Sequence, residues 1–280
     1  MQLTQCQQQQ FFNQGYLVFE DFVAPHMVQK LKTRAGVLVE QLAHQAQHQI
    51  FSTKRNDRSG DDYFLNSAED ICCFFEEEAY DQQGQLVQNI AQSINKIAHA
   101  MHHLDPVFSE FSHTQALADI AKGIGMKMPQ IRQSMYIFKQ PNIGGEIKWH
   151  QDGSFFVTTP HSVVTFWFAI EDATLENGCL WLEPGGHKGP LREQFKRDGD
   201  KTYMVQLDNT PWPGCESAIP VELKAGGLVV FHSHLPHYSA PNRSARSRQA
   251  YTLHVTDGTC NYSKDNWLQA DKLPLRGFIL

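Results

Sequence analysis

Apolar residues step by threes and fours early in the chain and cluster into short β-rich runs later. Val28, Leu31, Ala35, Leu38 and Leu42 form one stripe of an amphipathic helix, and Pro25 just ahead of them suits a helix start. Val87, Ile90, Ile94, Ile97 and Met101 repeat the spacing, as do Leu117, Ile120, Ala121 and Ile124. The pattern predicts helices whose stripes pack into a core, with Lys96 on the surface of the second. Phe11, Phe12, Tyr16, Leu17, Val18 and Phe19 surround Gly15 and predict a short helix turning into a strand. The first half is therefore expected to be mainly helical.

The second half changes character. Gln133–Phe138, Val163–Ile170, Gly227–His232 and Gln249–Val255 are rich in Val, Ile, Phe, Tyr, Trp and Thr. Pro141, Gly144, Gly145, Pro184, Gly185, Gly186, Pro213 and Gly214 punctuate the sequence around them. Strands separated by turn signals predict a sandwich or jelly roll, and the lack of β–α alternation argues against a doubly wound fold. No linker divides helices from strands. The expected organisation is one domain over residues 1–280, with a helical buttress mostly in 1–125 and a β core mostly in 127–260.

Residues 51–70, FSTKRNDRSGDDYFLNSAED, stand apart as a polar stretch too long for an ordinary connection. They read as either a lid or a disordered excursion. Lys54, Arg55, Asp57, Arg58, Asp61 and Asp62 are expected to prefer water, whereas Tyr63, Phe64 and Leu65 want a dry surface.

Composition narrows the partners. Of 280 residues, 41% are hydrophobic, enough for a sizeable core, and 24 basic against 30 acidic side chains leave a formal charge of −6. That balance argues against nucleic acid, which needs a basic face. No apolar run approaches the roughly 18 residues of a membrane span, and MQLTQCQQQQFF lacks the features of a secretory signal. Cys6, Cys72, Cys73, Cys179, Cys215 and Cys260 show no CxxC spacing, so neither a zinc ribbon nor a disulfide framework is indicated. A reducing, cytoplasmic setting and a small-molecule substrate are expected; oligomeric state is not legible.

With 14 histidines, a His-x-Asp triplet arises readily by chance, and two occur. His103 and Asp105 close a helical pattern, where a histidine near the helix dipole is an ordinary feature. His150-Gln151-Asp152 follows Gly144, Gly145 and a short extended segment. In extended chain, residues two apart point to one side, so His150 and Asp152 can grip one ion while Gln151 faces elsewhere. A third ligand is expected from a distant strand, and LVVFHSHLPHYS offers His232, His234 and His237. Two histidines and a carboxylate with open positions suit ferrous iron in oxygenases.

Longer strings carry a resemblance. QSMYIFKQPNIGGEIKWHQDGSFF (133–156), EDATLENGCLWLEPGGHK (171–188) and GGLVVFHSHLPHYSAPNRSARSRQAYTLHV (226–255) resemble the phytanoyl-CoA dioxygenase family of iron(II)- and 2-oxoglutarate-dependent oxygenases. NKIAHAMHHLDPVF (95–108) and FFNQGYLVFEDF (11–22) extend the likeness over nearly the whole chain, which is most similar to the phytanoyl-CoA dioxygenase domain-containing branch. The resemblance implies a double-stranded β-helix (a cupin-like jelly roll) buttressed by N-terminal helices. It implies Fe(II) with 2-oxoglutarate and O2 as cosubstrates, and His150, Asp152 and His237 as catalytic metal ligands, rather than His232 or His234. It also implies Arg248 as the oxoglutarate anchor, with Arg246 the runner-up two residues earlier on the same side of a strand. Ser239, Trp167, Met135 and Lys96 resemble further oxoglutarate contacts. Asp152 speaks against the halide site of related halogenases, which need a smaller residue there.

The implied activity is hydroxylation of a small organic molecule, with release of succinate and CO2. A metal-binding jelly-roll module without turnover, or a degenerate oxygenase, is the alternative. A zinc hydrolase built on His232 and His234 lacks a general base at helical HExxH spacing. The remaining features read as structure: Arg243 and Arg246 as a solvated turn, Gly185-Gly186-His187 as a turn, and Cys72-Cys73 as core. Tyr63, Phe64, Trp149, Phe155 and Phe156 could line a partly apolar pocket.

Overall fold

The computed structural model describes residues 1–53, 58–269 and 271–279. The chain opens on α1 (Gln5–Gln14), begun by a capping box in which the Thr4 hydroxyl accepts from the Gln7 amide at 3.2 Å and the Thr4 amide donates to the Gln7 side chain at 2.9 Å. Gly15 ends this helix at φ +84°, and a Cβ there would collide with His187 Nδ1, so the position requires glycine for conformation and for space. β1 (Tyr16–Phe19) follows, then α2 (Pro25–Leu42) with Pro25 in its first turn. The next elements are α3 (Asp62–Asn66), β2 (Ile71–Phe75), β3 (Ile94–His99), α4 (Met101–Leu104), α5 (Pro106–Ser112) and α6 (Gln115–Gly123). Asp105 joins α4 to α5 by accepting from the Val107 and Phe108 amides at 3.0 and 3.2 Å, and it holds Arg34 of α2 at 2.6 Å.

The second half supplies β4 (Pro129–Ile137), β5 (Ile147–His150), β6 (Thr158–Thr159), β7 (Val164–Ala169), β8 (Leu180–Leu182), β9 (Glu193–Asp198) and β10 (Lys201–Gln206). It ends with β11 (Ile219–Val221), β12 (Leu228–His232), β13 (His237–Ser239), β14 (Ala250–Asp257) and β15 (Asn261–Tyr262). Seven strands form a large sheet in the order β1-β12-β7-β14-β4-β3-β2, and four form a smaller one in the order β11-β8-β13-β5. Their pairings are antiparallel.

Alternation explains why the large sheet reads as continuous apolar runs. Phe166 and Phe168 of β7, Leu228 and Val230 of β12, and Tyr251 and Leu253 of β14 pack with α2, α5 and α6 in one core. The intervening Trp167, Ala169, Val229, Phe231 and Ala250 pack against Leu180, Leu182 and Leu235 in a second core, between the sheets. Both faces are covered, so both parities are apolar. The architecture is a jelly roll with helices buttressing the outer face of its large sheet.

Two expectations fail. Val87–Met101 is not a helix: Ile90–Gln92 is a single 3-10 turn and Ile94–His99 is strand β3. Lys96 pairs with Phe74 but Ile94 pairs with Phe75, so Asn95 is an extra residue, a bulge. The bulge brings Ile94 and Ile97, three apart, into the same core and so imitates helical spacing. Lys96, expected on a helix surface, is buried in a strand instead. The water-seeking reading of 51–70 fails at Arg58, which is 4% exposed. Its amide donates to Thr202 Oγ1 at 2.7 Å, its guanidinium to the Ile50 and Ser52 carbonyls, and it stacks near Phe51 and Phe64. Phe64 and Leu65 are buried on α3 as expected; Lys54, Arg55 and Asp57 lie outside the described residues.

Leu31 of α2 has no exposed surface and sits in the helix-side core. Leu31→Ala should therefore cost about 2–5 kcal/mol, read as a lower urea midpoint with an unchanged slope.

Candidate active site

The small sheet brings the first elements of the site together. His237 at the start of β13 lies directly opposite His150 at the end of β5, with ring centroids 4.0 Å apart. Just past β5 the chain bends into a 3-10 turn that opens on Asp152. Its Oδ1 stands 3.5 Å from His150 Nε2 and 3.6 Å from His237 Nε2. One ligand atom from each residue lies within 4.8 Å of the others, and this is the one such group of three among the described residues. His150 Nδ1 donates to the Lys148 carbonyl at 2.8 Å and His237 Nδ1 to the Leu235 carbonyl at 3.1 Å. Each bond fixes the tautomer that leaves an Nε2 lone pair facing Asp152. Burial, reinforced by His150, lowers His237 to about 4, so it is neutral at physiological pH. Burial alone would raise the Asp152 carboxyl, but the surrounding imidazoles of His237, His254 and His150 hold it well below the usual carboxylate range. A neutral His237 imidazole and an ionised carboxylate are protonation states that a divalent metal requires.

Two residues of this site were not anticipated. Thr165 of β7 donates to Asp152 Oδ2 at 2.5 Å, and His254 Nε2 of β14 lies 3.4 Å from the same oxygen. Thr165 and His254 face each other across the β7–β14 pair, and His254 stacks on Phe156 with ring centroids 5.0 Å apart. The available signal was parity: both are polar side chains at inward positions of otherwise apolar strands. Gln151 faces away, as expected, donating to the Pro190 and His234 carbonyls and accepting from the Arg192 amide.

The triad opens onto a cavity of ≈ 710 Å³ lined also by Arg248, Ser239, Trp167, Met135 and Lys96. Arg248 is 2% exposed. Its Nε donates to the Gly178 carbonyl and its Nη2 to Ser239 Oγ, both at 3.2 Å, over the Trp167 ring at 5.4 Å. Nη1 is buried without a hydrogen-bond partner among the described residues. Burial brings Arg248 down to about 10, which leaves it charged at neutral pH. Gly178 was not anticipated either: at φ +83°, with no room for a Cβ beside Lys139 Cε, it offers the carbonyl that Arg248 and Ser239 share. Lys96 lies over the Phe51 ring at 3.1 Å and near Met135 Sδ at 3.9 Å. Burial, and then Arg58, push its pKa well below the usual lysine range.

Arg246 does not share a strand face with Arg248, because β14 starts only at Ala250. It is exposed and pairs with Glu176 at 3.0 Å, while Arg243 pairs with Glu78 at 2.6 Å. His103 lies at the end of α4, away from the cavity lining. His232 and His234 are outside the converging group. Phe64, Trp149, Phe155 and Phe156 line the cavity, whereas Tyr63 turns away and donates to the Cys73 carbonyl at 3.1 Å.

A jelly roll with two histidines and an aspartate converging inside its mouth defines the class of this protein. Its sequence relations define the family. The family described as phytanoyl-CoA dioxygenase matches residues 11–250, and the chain belongs to it. It is 43% identical over 281 residues to a protein of Arabidopsis thaliana named phytanoyl-CoA dioxygenase, covering 99% of this chain and 98% of that one. It is 39% identical to phytanoyl-CoA dioxygenase domain-containing protein 1 of Bos taurus, covering 95% of each. Among solved structures, EctD from S. alaskensis with 2-oxoglutarate and 5-hydroxyectoine superposes with a TM-score of 0.64 at 19% identity, over 96% of this chain and 81% of that one. SnoK, a non-heme alpha-ketoglutarate-dependent carbocyclase from nogalamycin biosynthesis, gives 0.64 at 15% identity over 98% and 96%. At these identities the two structures speak to the fold.

The hold on Asp152 Oδ2 has a measurable consequence. Thr165→Val and His254→Leu should each weaken Mn2+ binding by about ten- to a hundredfold, as loss of an outer-shell partner does. Electron paramagnetic resonance of free Mn2+ reads this without turnover, and unchanged affinity in both variants would show that Asp152 needs neither partner.

Proposed function

We propose that the chain is an iron(II)- and 2-oxoglutarate-dependent dioxygenase that hydroxylates a small organic substrate. The observation that carries this reading is the pairing of a His/Asp/His group with a buried arginine in one cavity. Nε2 of His150, Nε2 of His237 and Oδ1 of Asp152 would hold the metal, and two imidazoles with one carboxylate leave positions for 2-oxoglutarate and O2. Arg248 would bind the far carboxylate of 2-oxoglutarate, a role supported by its unpartnered Nη1 and by the planar fork of a guanidinium. Ser239 and Trp167 would hold that arginine, and Met135 and Lys96 would border the cosubstrate. When bound, iron and 2-oxoglutarate supply the oxidising chemistry: one oxygen atom of O2 enters the substrate, and the other enters succinate as CO2 leaves.

The chain's own part is positioning. Asp152 stays ionised, Thr165 and His254 hold its outer oxygen, and the histidine tautomers are fixed by backbone carbonyls. Phe155, Phe156 and Phe195 give the cavity apolar walls that limit water. We take residues 1–280 as one domain acting on a small molecule. From the lack of CxxC spacing among the cysteines we also infer a reducing, cytoplasmic setting. The relatives' names mention phytanoyl-CoA and the structural neighbours act on other compounds, so the reading stops at a small organic substrate.

Incubated with fresh Fe(II), ascorbate and 2-oxoglutarate, the protein should form succinate slowly even without its substrate, and chelation of the iron should abolish this. No succinate together with no 2-oxoglutarate binding would leave a non-catalytic metal-binding module as the better reading. Arg248→Ala should weaken 2-oxoglutarate by about 2–5 kcal/mol, the cost of leaving a buried charge unpaired, or tens to thousands of times in affinity. Arg246→Ala, on the exposed turn, should change it little. Anaerobic titration followed by the visible charge-transfer band measures both, and equal losses would overturn the anchor.

A further inference from the structure

Four imidazoles outside the triad line up behind the Asp152 turn. His161 and His234 have ring centroids 4.2 Å apart, His232 lies 5.3 Å from His234, and His187 lies 5.4 Å from His232. Two of the four are already committed. His232 Nδ1 accepts the His234 amide at 3.0 Å, so its proton sits on Nε2. His187 Nε2 donates to the Phe12 carbonyl at 3.1 Å; its Nδ1 is buried without a partner among the described residues but is closed in against Gly15, with no room for a ligand.

His234 is not satisfied in this way. It is 6% exposed, and its Nε2 has no hydrogen-bond partner among the described residues. A buried polar atom left without a partner is costly, so such an atom invites a ligand. Beside it stands His161, exposed on the connection between β6 and β7 and able to turn its ring without disturbing a core. Burial and the neighbouring imidazoles bring His234 down to about 3, and burial alone lowers His161. Both are therefore neutral at physiological pH, the state in which imidazole binds metal.

We propose that His161 and His234 form a second divalent-metal site, separate from the triad, that takes a borderline transition metal such as Zn2+ through two imidazoles, with water completing its shell. Nitrogen donors without carboxylates select zinc, nickel or copper over magnesium and calcium, which want oxygen. The site abuts the Asp152 turn: the His234 carbonyl accepts from Gln151 Nε2 at 2.8 Å, and a Cβ on Gly153 would stand 3.0 Å from His234 Cδ2.

The test counts zinc. The full chain, stripped with a chelator, is dialysed against Zn2+ at neutral pH. Two equivalents are expected, one at the triad and one at this pair. His161→Ala alters an exposed side chain, so the fold should survive, and the second equivalent should weaken at least about tenfold, the least that loss of a direct ligand should cost. The double variant Asp152→Ala, His237→Ala should keep the second equivalent, so failure of the iron reading and failure of this one are read separately. A single equivalent in the unaltered chain, or a second that survives His161→Ala at full affinity, overturns the site.

Discussion

The Asp152 carboxylate is the interaction on which the site depends, because it joins the two sheets. Its Oδ2 is held by Thr165 and lies beside His254, both on the large sheet, while its Oδ1 faces His150 and His237, which are paired on the small one. An isolated buried carboxylate would be expensive, by several kcal/mol even after relaxation, and would protonate instead. Here a hydroxyl and three imidazoles surround it, so the charge persists where burial would remove it. The same contacts link the two sheets beside the triad.

The deep end of the cavity is built on a different balance. Arg248 and Lys139 are both almost fully buried on neighbouring segments, and burial, then the Arg248 guanidinium, push the Lys139 pKa well below the usual lysine range. Lys139 Nζ donates to the Gly145 carbonyl at 2.7 Å, and Glu76 accepts from the Gly145 amide and from Asn95 at 3.1 and 2.8 Å. This knot ties the Asn95 bulge of β3 to the segment that leads into β5. It also explains why Gly178 must be glycine: Lys139 fills the space of its side chain, and its carbonyl turns to Arg248. Arg248 thus keeps a positive charge beneath the cavity, which an anionic cosubstrate would offset.

The sequence by itself determined more of the site than of the fold's first half. Spacing put His150 and Asp152 on one side of an extended chain, and the resemblance pointed to His237 and Arg248; the folded chain brings the first three together and lines the same cavity with Arg248. The strands of the β core were legible because β-branched and aromatic runs bounded by Pro and Gly have few other solutions. The helices over residues 25–42 and 115–123 were legible from their apolar spacing by threes and fours, and the one over residues 5–14 from the Gly15 that ends it.

Only the tertiary structure decided the rest. Helical spacing at Ile94 and Ile97 was produced by a bulge whose existence depends on pairing with β2, and no local pattern separates that case from a helix. Arg58 and Lys96 read as surface charges, yet the Phe51 ring beside both, and the Ile50 carbonyl beside Arg58, make their burial possible. Thr165 and His254 became partners of Asp152 because antiparallel pairing set them opposite each other. Local sequence constrains backbone conformation and side-chain parity; which polar atom meets which across two sheets is set by register and packing, and these exist only in the folded chain.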